Sequence, residues 1–214
     1  MRPNVADTDA VIGPRVRRNM SRDAIIQAAQ RLFLESGFGG VNMDDLAEAA
    51  GVSRRTLYNQ FTSKEEIFRE MLARQWARLD RTALPPLETG GDVEAVLLQV
   101  SRALVRVLCH PDYIALVRMV VAESRQFPWI SDEYAQVGAR SRIERLAGYL
   151  ARLTVAGVLD CRNPDLAARQ FLGLLNEPLF WPQVTGEGRI AGIDENEVIA
   201  EAVRMFLLRH RRKT

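Results

Sequence analysis

Apolar residues recur at helical spacing along almost the whole chain, and no stretch alternates as a half-buried strand would. The first stripe is Ile25, Ala28, Ala29, Leu32 and Phe33, preceded by Ser21 as a good N-cap and Asp23 in the first turn. Ser36-Gly37-Phe38-Gly39-Gly40 ends it, with Gly37 suited to a left-handed turn. A short helix over 43–50 follows, with Leu46, Ala47 and Ala50 inward, and Asn42 stands before it as a candidate cap. Gly51 stops that helix and Ser53 caps the next, over 54–61, anchored by Val52, Leu57 and Phe61. Ser63 and Glu66 read as a capping box opening a long helix towards residue 81.

Leu84-Pro85-Pro86 and the following Glu-Thr-Gly-Gly-Asp form the clearest break. Beyond it, Asp92 caps a helix carrying Val96, Leu97, Val100, Leu104 and Leu108, and Pro111 restarts the chain into an apolar segment over 113–122. Ser131 is the expected cap of a long amphipathic stretch to about residue 156. Asn163-Pro164 is a cap with proline at the first helical position. Asp194 with Glu197 opens the last helix, to about residue 210. The fold class is all-α with roughly nine helices. The segments divide into a basic arm (1–18), a helix-turn-helix domain (19–65) and a larger helical domain (66–214).

Composition adds little. An apolar fraction of 47% with 26% charged residues is that of a globular protein, and the start of the chain has no apolar core of a secretion signal, so the cytoplasm is the expected location. Cys109 and Cys161 lie far apart without other metal-ligating residues in suitable spacing, so they are expected to be reduced structural thiols, with no metal and no cofactor.

Charge placement does change the picture. The formal net charge is only +2, yet Arg15, Arg17, Arg18 and Arg22 stand without an acid between residues 13 and 22. Arg54, Arg55 and Lys64 do so again between 51 and 64. Such local separation is what a nucleic-acid footprint looks like, although solvated surface charge would look the same. The helix after Gly51 would expose Arg54, Arg55, Thr56, Tyr58 and Asn59. Arginine can pair bidentately with guanine, asparagine with adenine, and a threonine methyl can touch thymine. Tyr58, Lys64 and the start of the Lys64 helix are placed to meet phosphates. The alternative is a small helical subdomain with an ordinary polar face.

The segment from Ile25 to Phe68 resembles the DNA-binding domain of the TetR family of bacterial transcriptional regulators. The resemblance is carried by Ala29/Leu32/Phe33, Gly37/Phe38, Leu46/Ala47/Ala50/Gly51/Val52/Ser53, Leu57/Tyr58/Phe61 and Ser63/Lys64/Glu65. It departs from the family where a threonine usually caps the second helix; here Asn42 and Met43 occupy that neighbourhood. The C-terminal half is similar to the domain of AcrR-like members. The resemblance implies operator DNA as partner, with Ser53 and Asn42 among the contacts, a homodimer, and an internal cavity whose small-molecule effector relieves repression.

For the dimer, the apolar faces of the last two long helices supply Phe171, Leu172, Leu175, Leu179, Val198, Ala202, Val203 and Phe206, which read equally well as core. Trp76, Leu104, Tyr113, Val117, Met119, Val120, Phe127 and Tyr149 are candidates for the effector cavity, and their apolar character suggests an apolar or amphipathic ligand. Arg15, Arg17 and Arg18 could reach a minor groove. A constitutive DNA-binding protein without effector and a helical enzyme or carrier remain as alternatives. No nucleophile elbow, phosphate loop or metal-ligand set supports the enzyme.

Overall fold

The computed structural model describes residues 14–83 and 91–212. Among them are eleven α-helical segments, one π-helical turn and no strand beyond a lone bridge between Leu159 and Arg211. The chain divides into two compact units, one ending at Met71 and one beginning at Leu72. The expected boundary after residue 65 and this division both fall inside a single helix, while the Leu84-Pro85-Pro86 break lies outside the described residues.

The first unit holds α1 (Pro14–Ser36), α2 (Met43–Ala49), α3 (Arg54–Tyr58) and the opening turns of α4 (Lys64–Ala83). Its core is aromatic: Phe33, Phe38 and Phe68 pack with ring centroids 5.3–5.6 Å apart, two of the three contacts edge-on. Ile25, Leu46, Leu57 and Phe61 close around them. Edge-to-face packing brings a ring's positive rim to its neighbour's negative face, adding to the burial of apolar surface.

Helix α1 begins seven residues before the Ser21 cap that the pattern predicted. Ser21 sits inside the helix, its hydroxyl donating to Arg18 O at 3.0 Å, so Arg15, Arg17 and Arg18 belong to a helix rather than to an arm. The capping signals at α2 and α4 have different fates. Asn42 accepts from the amides of Asp44 and Asp45 while Asp45 reaches back to the Asn42 amide, a reciprocal box. At α4 the Glu66 amide donates to the Ser63 hydroxyl, but the Glu66 carboxylate goes one residue further back, to the amide and hydroxyl of Thr62.

The second unit contains the rest of α4, α5 (Val93–Leu108), α6 (Pro111–Glu123), α7 (Pro128–Tyr134), a π-helical turn (Ala135–Ala139), α8 (Arg140–Val155), α9 (Pro164–Leu179), α10 (Trp181–Thr185) and α11 (Glu195–His210). Asp92, Asn163 and Asp194 cap α5, α9 and α11 through their side chains, as expected. Ser131 does not cap: α7 has already started at Pro128, and it runs through the π-helical turn into α8. Leu97, Leu150, Leu153, Phe171, Leu175, Ile199 and Val203 form the core where α5, α8, α9 and α11 meet. The count exceeds nine because α10 is a single turn and the stretch expected as one helix is three segments. No described helix is long and apolar enough to cross a membrane.

Candidate nucleic-acid interface

The turn between α2 and α3 depends on Gly51, whose φ of +65° is strained for any residue with a side chain. The Val52 amide then donates to Ala47 O at 3.0 Å, folding the chain back within a few residues. Ser53 caps α3 by accepting from the Thr56 amide at 3.1 Å, and its hydroxyl also shares a hydrogen bond with the Thr56 hydroxyl at 2.9 Å. Leu57 is fully buried and pins α3 to the core, which leaves Arg54, Arg55, Tyr58 and Asn59 exposed. Among the described residues, the side chains of Arg55, Tyr58 and Asn59 form no hydrogen bond or ion pair. Arg54 meets Asp44 of α2 at 2.6 Å, but both side chains are well exposed, and such pairs contribute at most about 1 kcal/mol.

Beside this face lies a shallow groove lined by Arg18, Ser21, Thr56, Asn59 and Gln60. It joins the start of α1 to the end of α3. Gln60 is buried, donating to the Ser21 hydroxyl and, at 3.2 Å, to Arg18 O. Arg22 is not available to a partner. Its guanidinium is paired with Glu70, donates to Gln60 O at 2.8 Å and lies 4.0 Å from the Phe61 ring centroid.

Lys64 corrects the sequence reading. Its ammonium points inward, donating to Phe38 O at 2.7 Å and Val41 O at 2.6 Å and sitting 4.3 Å from the centre of the Phe38 ring. The loop between α1 and α2 leaves those carbonyls without helical partners, and a cation satisfies both. The start of α4 is likewise occupied by its own caps and carries Glu65 and Glu66 in its first turn. Hydrogen bonds from the Thr62 amide and hydroxyl hold the Glu66 carboxyl below the usual carboxylate range. A phosphate would meet negative charge there.

In the second unit, the candidate cavity residues split. Trp76 and Tyr113 are buried with centroids 5.5 Å apart, and Leu104, Val117, Met119 and Val120 are buried too, while Phe127 is half-buried. Tyr149 packs instead in the α5–α8–α9–α11 core. Tyr134 and Arg142 join Trp76 and Tyr113. The two tyrosine hydroxyls are 2.6 Å apart, and Arg142 donates to the Tyr113 hydroxyl at 3.0 Å. Arg142 went unnoticed because, among Arg140, Arg142 and Arg145, nothing local marks the one that turns inward.

The dimer candidates also need correction. Phe171, Leu175, Ala202, Val203 and Phe206 are buried within the subunit, with Phe171 and Phe206 in edge contact at 5.0 Å. Leu172, Leu179 and Val198 are half-buried. Of these candidates only Val198 and Ala202 reach the outward groove of about 410 Å³ between α9 and α11, where Leu174, Pro178, Ile193 and Met205 join them; Leu208 is exposed further along α11.

Family models match both units. Residues 25–71 match the bacterial regulatory proteins of the tetR family, and residues 95–212 match the AefR-like transcriptional repressor C-terminal domain. The chain belongs to the TetR family. An HTH-type transcriptional regulator of Mycobacterium tuberculosis (strain ATCC 25618 / H37Rv) is 28% identical over 191 residues, covering 87% of this chain and 85% of its own. The flavonoid-responsive regulator FrrA superposes with a TM-score of 0.81 at 32% identity, covering 92% of this chain and all of that one. A TetR-family regulator from Mesorhizobium loti MAFF303099 gives 0.79 at 26% identity, covering 92% and 99%. The chain is therefore a DNA-binding transcriptional regulator of this family and not an enzyme.

Proposed function

We propose that the chain is a homodimeric repressor that reads an operator through α3 and leaves it when a small molecule enters the second unit. The single observation behind the DNA face is α3 itself: Leu57 is sealed in the core while Arg55, Tyr58 and Asn59 stand exposed without side-chain partners among the described residues. Arg55 and Asn59 read base edges, Tyr58 and Arg54 take phosphates, and Ser53 and Asn42 act chiefly as caps that hold the helices presenting them. Arg18 flanks the same face. Residues 19–65 thus serve the DNA and residues 66–214 the effector and the partner subunit, acting in the cytoplasm.

One five-residue helix spans few base pairs, so two copies are needed on a two-fold operator. The outward row of α9 and α11 is the surface on which they meet. Repression follows the AefR-like repressor match, and release follows a population shift, the effector binding better to a dimer whose α3 helices are wrongly spaced. The responsiveness of FrrA to flavonoids supports an aromatic effector here.

The test is binding to DNA flanking the chain's own coding region and to sequences selected from a random pool, across a salt series. Wild type should bind one sequence tightly, and Arg55→Ala/Tyr58→Ala should lose at least about tenfold. Equal binding by the two proteins would refute the assignment of α3.

A further inference from the structure

The polar centre around Trp76 is unusual for a helical core because two of its strongest donors are unused. Trp76 is only 5% exposed, and its indole Nε1 has no hydrogen-bond partner among the described residues. Arg142 spends Nη2 on the Tyr113 hydroxyl, but its Nη1 is buried and, among the described residues, equally unpartnered. Buried donors are almost always satisfied, so two orphans in contact call for an explanation. They are in contact: the guanidinium carbon lies 4.6 Å from the indole centre and 5.6 Å from that of Tyr113.

Charge points the same way. Arg142 makes no ion pair among the described residues. Tyr134 supplies no anion either, since burial, with Tyr113 against it, pushes its hydroxyl far above the ordinary phenol range. A half-buried guanidinium with its Nη1 sealed from solvent and no ion-pair partner among the described residues is a place that a ligand's negative oxygen would fill. The surroundings define the rest of that ligand. Trp76, Tyr113, Tyr134 and Phe180 form a chain of rings with centroid spacings of 5.5–5.6 Å.

The backbone is adapted to this place as well. The turn Ala135–Ala139 is π-helical, the Arg140 amide donating to Ala135 O, and such turns concentrate at functional sites. Gly138 lies against the indole so closely that a Cβ there would fall 1.9 Å from Trp76 Cε2. Any side chain at position 138 would evict the ring from beside Arg142.

We infer that Arg142 and Trp76 form the recognition point for a planar aromatic carboxylate, the oxygens of which accept from Arg142 Nη1 and Trp76 Nε1. The inference rests on the reading of the second unit as an effector domain. It narrows the expected apolar or amphipathic ligand to an acid, with Arg142 setting specificity.

The probe is 2-naphthoate against its neutral counterpart 2-naphthamide, titrated calorimetrically into the full-length protein at neutral pH. Indole amide resonances are followed by 15N NMR. The acid should bind at least about tenfold tighter than the amide, one buried charged hydrogen bond being enough for that ratio. It should displace the Trp76 resonance while leaving Trp129 and Trp181 in place. In Arg142→Met the preference should vanish, with helical content kept and a melting temperature no lower than that of wild type.

Equal binding of acid and amide, binding of neither, or an unmoved Trp76 resonance would overturn the proposal. So would a fall in melting temperature of more than about 5 °C in Arg142→Met, which would make Arg142 a structural residue. Naphthoate bound with the expected preference but without effect on operator binding would instead sink effector release and leave the anion site standing.

Discussion

Lys64→Met separates two roles that the sequence could not distinguish. The substitution keeps the aliphatic stem and removes only the ammonium. That group donates to Phe38 O and Val41 O at 2.7 and 2.6 Å and faces the Phe38 ring. A hydrogen bond to a charged donor contributes about 1.5–3 kcal/mol, and a backbone carbonyl left without a partner costs about 1–3 kcal/mol. Water can reach a half-buried site, so the low end of each range applies and the two bonds together give about 2–3 kcal/mol. Urea unfolding followed by circular dichroism should show that loss. Operator binding measured by fluorescence anisotropy at several salt concentrations, well below the unfolding midpoint, should keep the same dependence on log salt. Were Lys64 on a phosphate instead, the slope would fall by about 0.9. A variant with unchanged stability and a slope lower by that amount would refute the inward placement.

Two further outcomes follow from the same geometry. Glu66 has its folded-state pKa lowered by the Thr62 amide and hydroxyl, so its contribution is fully present above the ordinary glutamate value and fades as pH falls towards the folded one. In Glu66→Gln, unfolding midpoints measured between pH 7 and pH 3 should therefore lose part of their acid-side decline; an unchanged profile would deny the cap. In α11, Met205 and Leu208 are 48% and 73% exposed, and burying such a side chain contributes about 1.5–3 kcal/mol. Met205→Glu/Leu208→Glu should weaken self-association by at least about 100-fold in analytical ultracentrifugation, and an undisturbed dimer would move the interface elsewhere.

What could be read in advance was local. Gly51, Val52, Ser53 and Leu57 specify a turn and an anchored helix within seven residues, so the exposed face of α3 was legible without knowing any distant contact. Asn42, Asp92, Asn163 and Asp194 announced their caps for the same reason. Lys64 was misread because its acceptors belong to a loop more than twenty residues earlier, and nothing near Lys64 signals them. The start of α1 was missed because Ser21 is a good cap in isolation, whereas in the fold its hydroxyl serves Arg18 and Gln60. In α9 and α11, helical periodicity identified apolar stripes but not which of two apolar sides turns inward. Phe171, Leu175 and Phe206 filled the subunit's interior and left the outer side to smaller or more flexible residues.

The π-helical turn explains one more peculiarity and carries its own consequence. From Ile130 through Tyr134, Gly138, Arg142 and Leu146, the spacing is four residues at every step, which would drift around a regular helix of 3.6 residues per turn. The surplus residue in the turn absorbs that drift, so α7 and α8 keep their facing across it. Deleting one residue between Ala135 and Ala139 would thus leave the bundle's packing in phase while redrawing the bare stretch of backbone against the indole. A single-codon deletion at this point would change the surroundings of Trp76 and Arg142 in one step while the packing on either side of the turn stayed as it was.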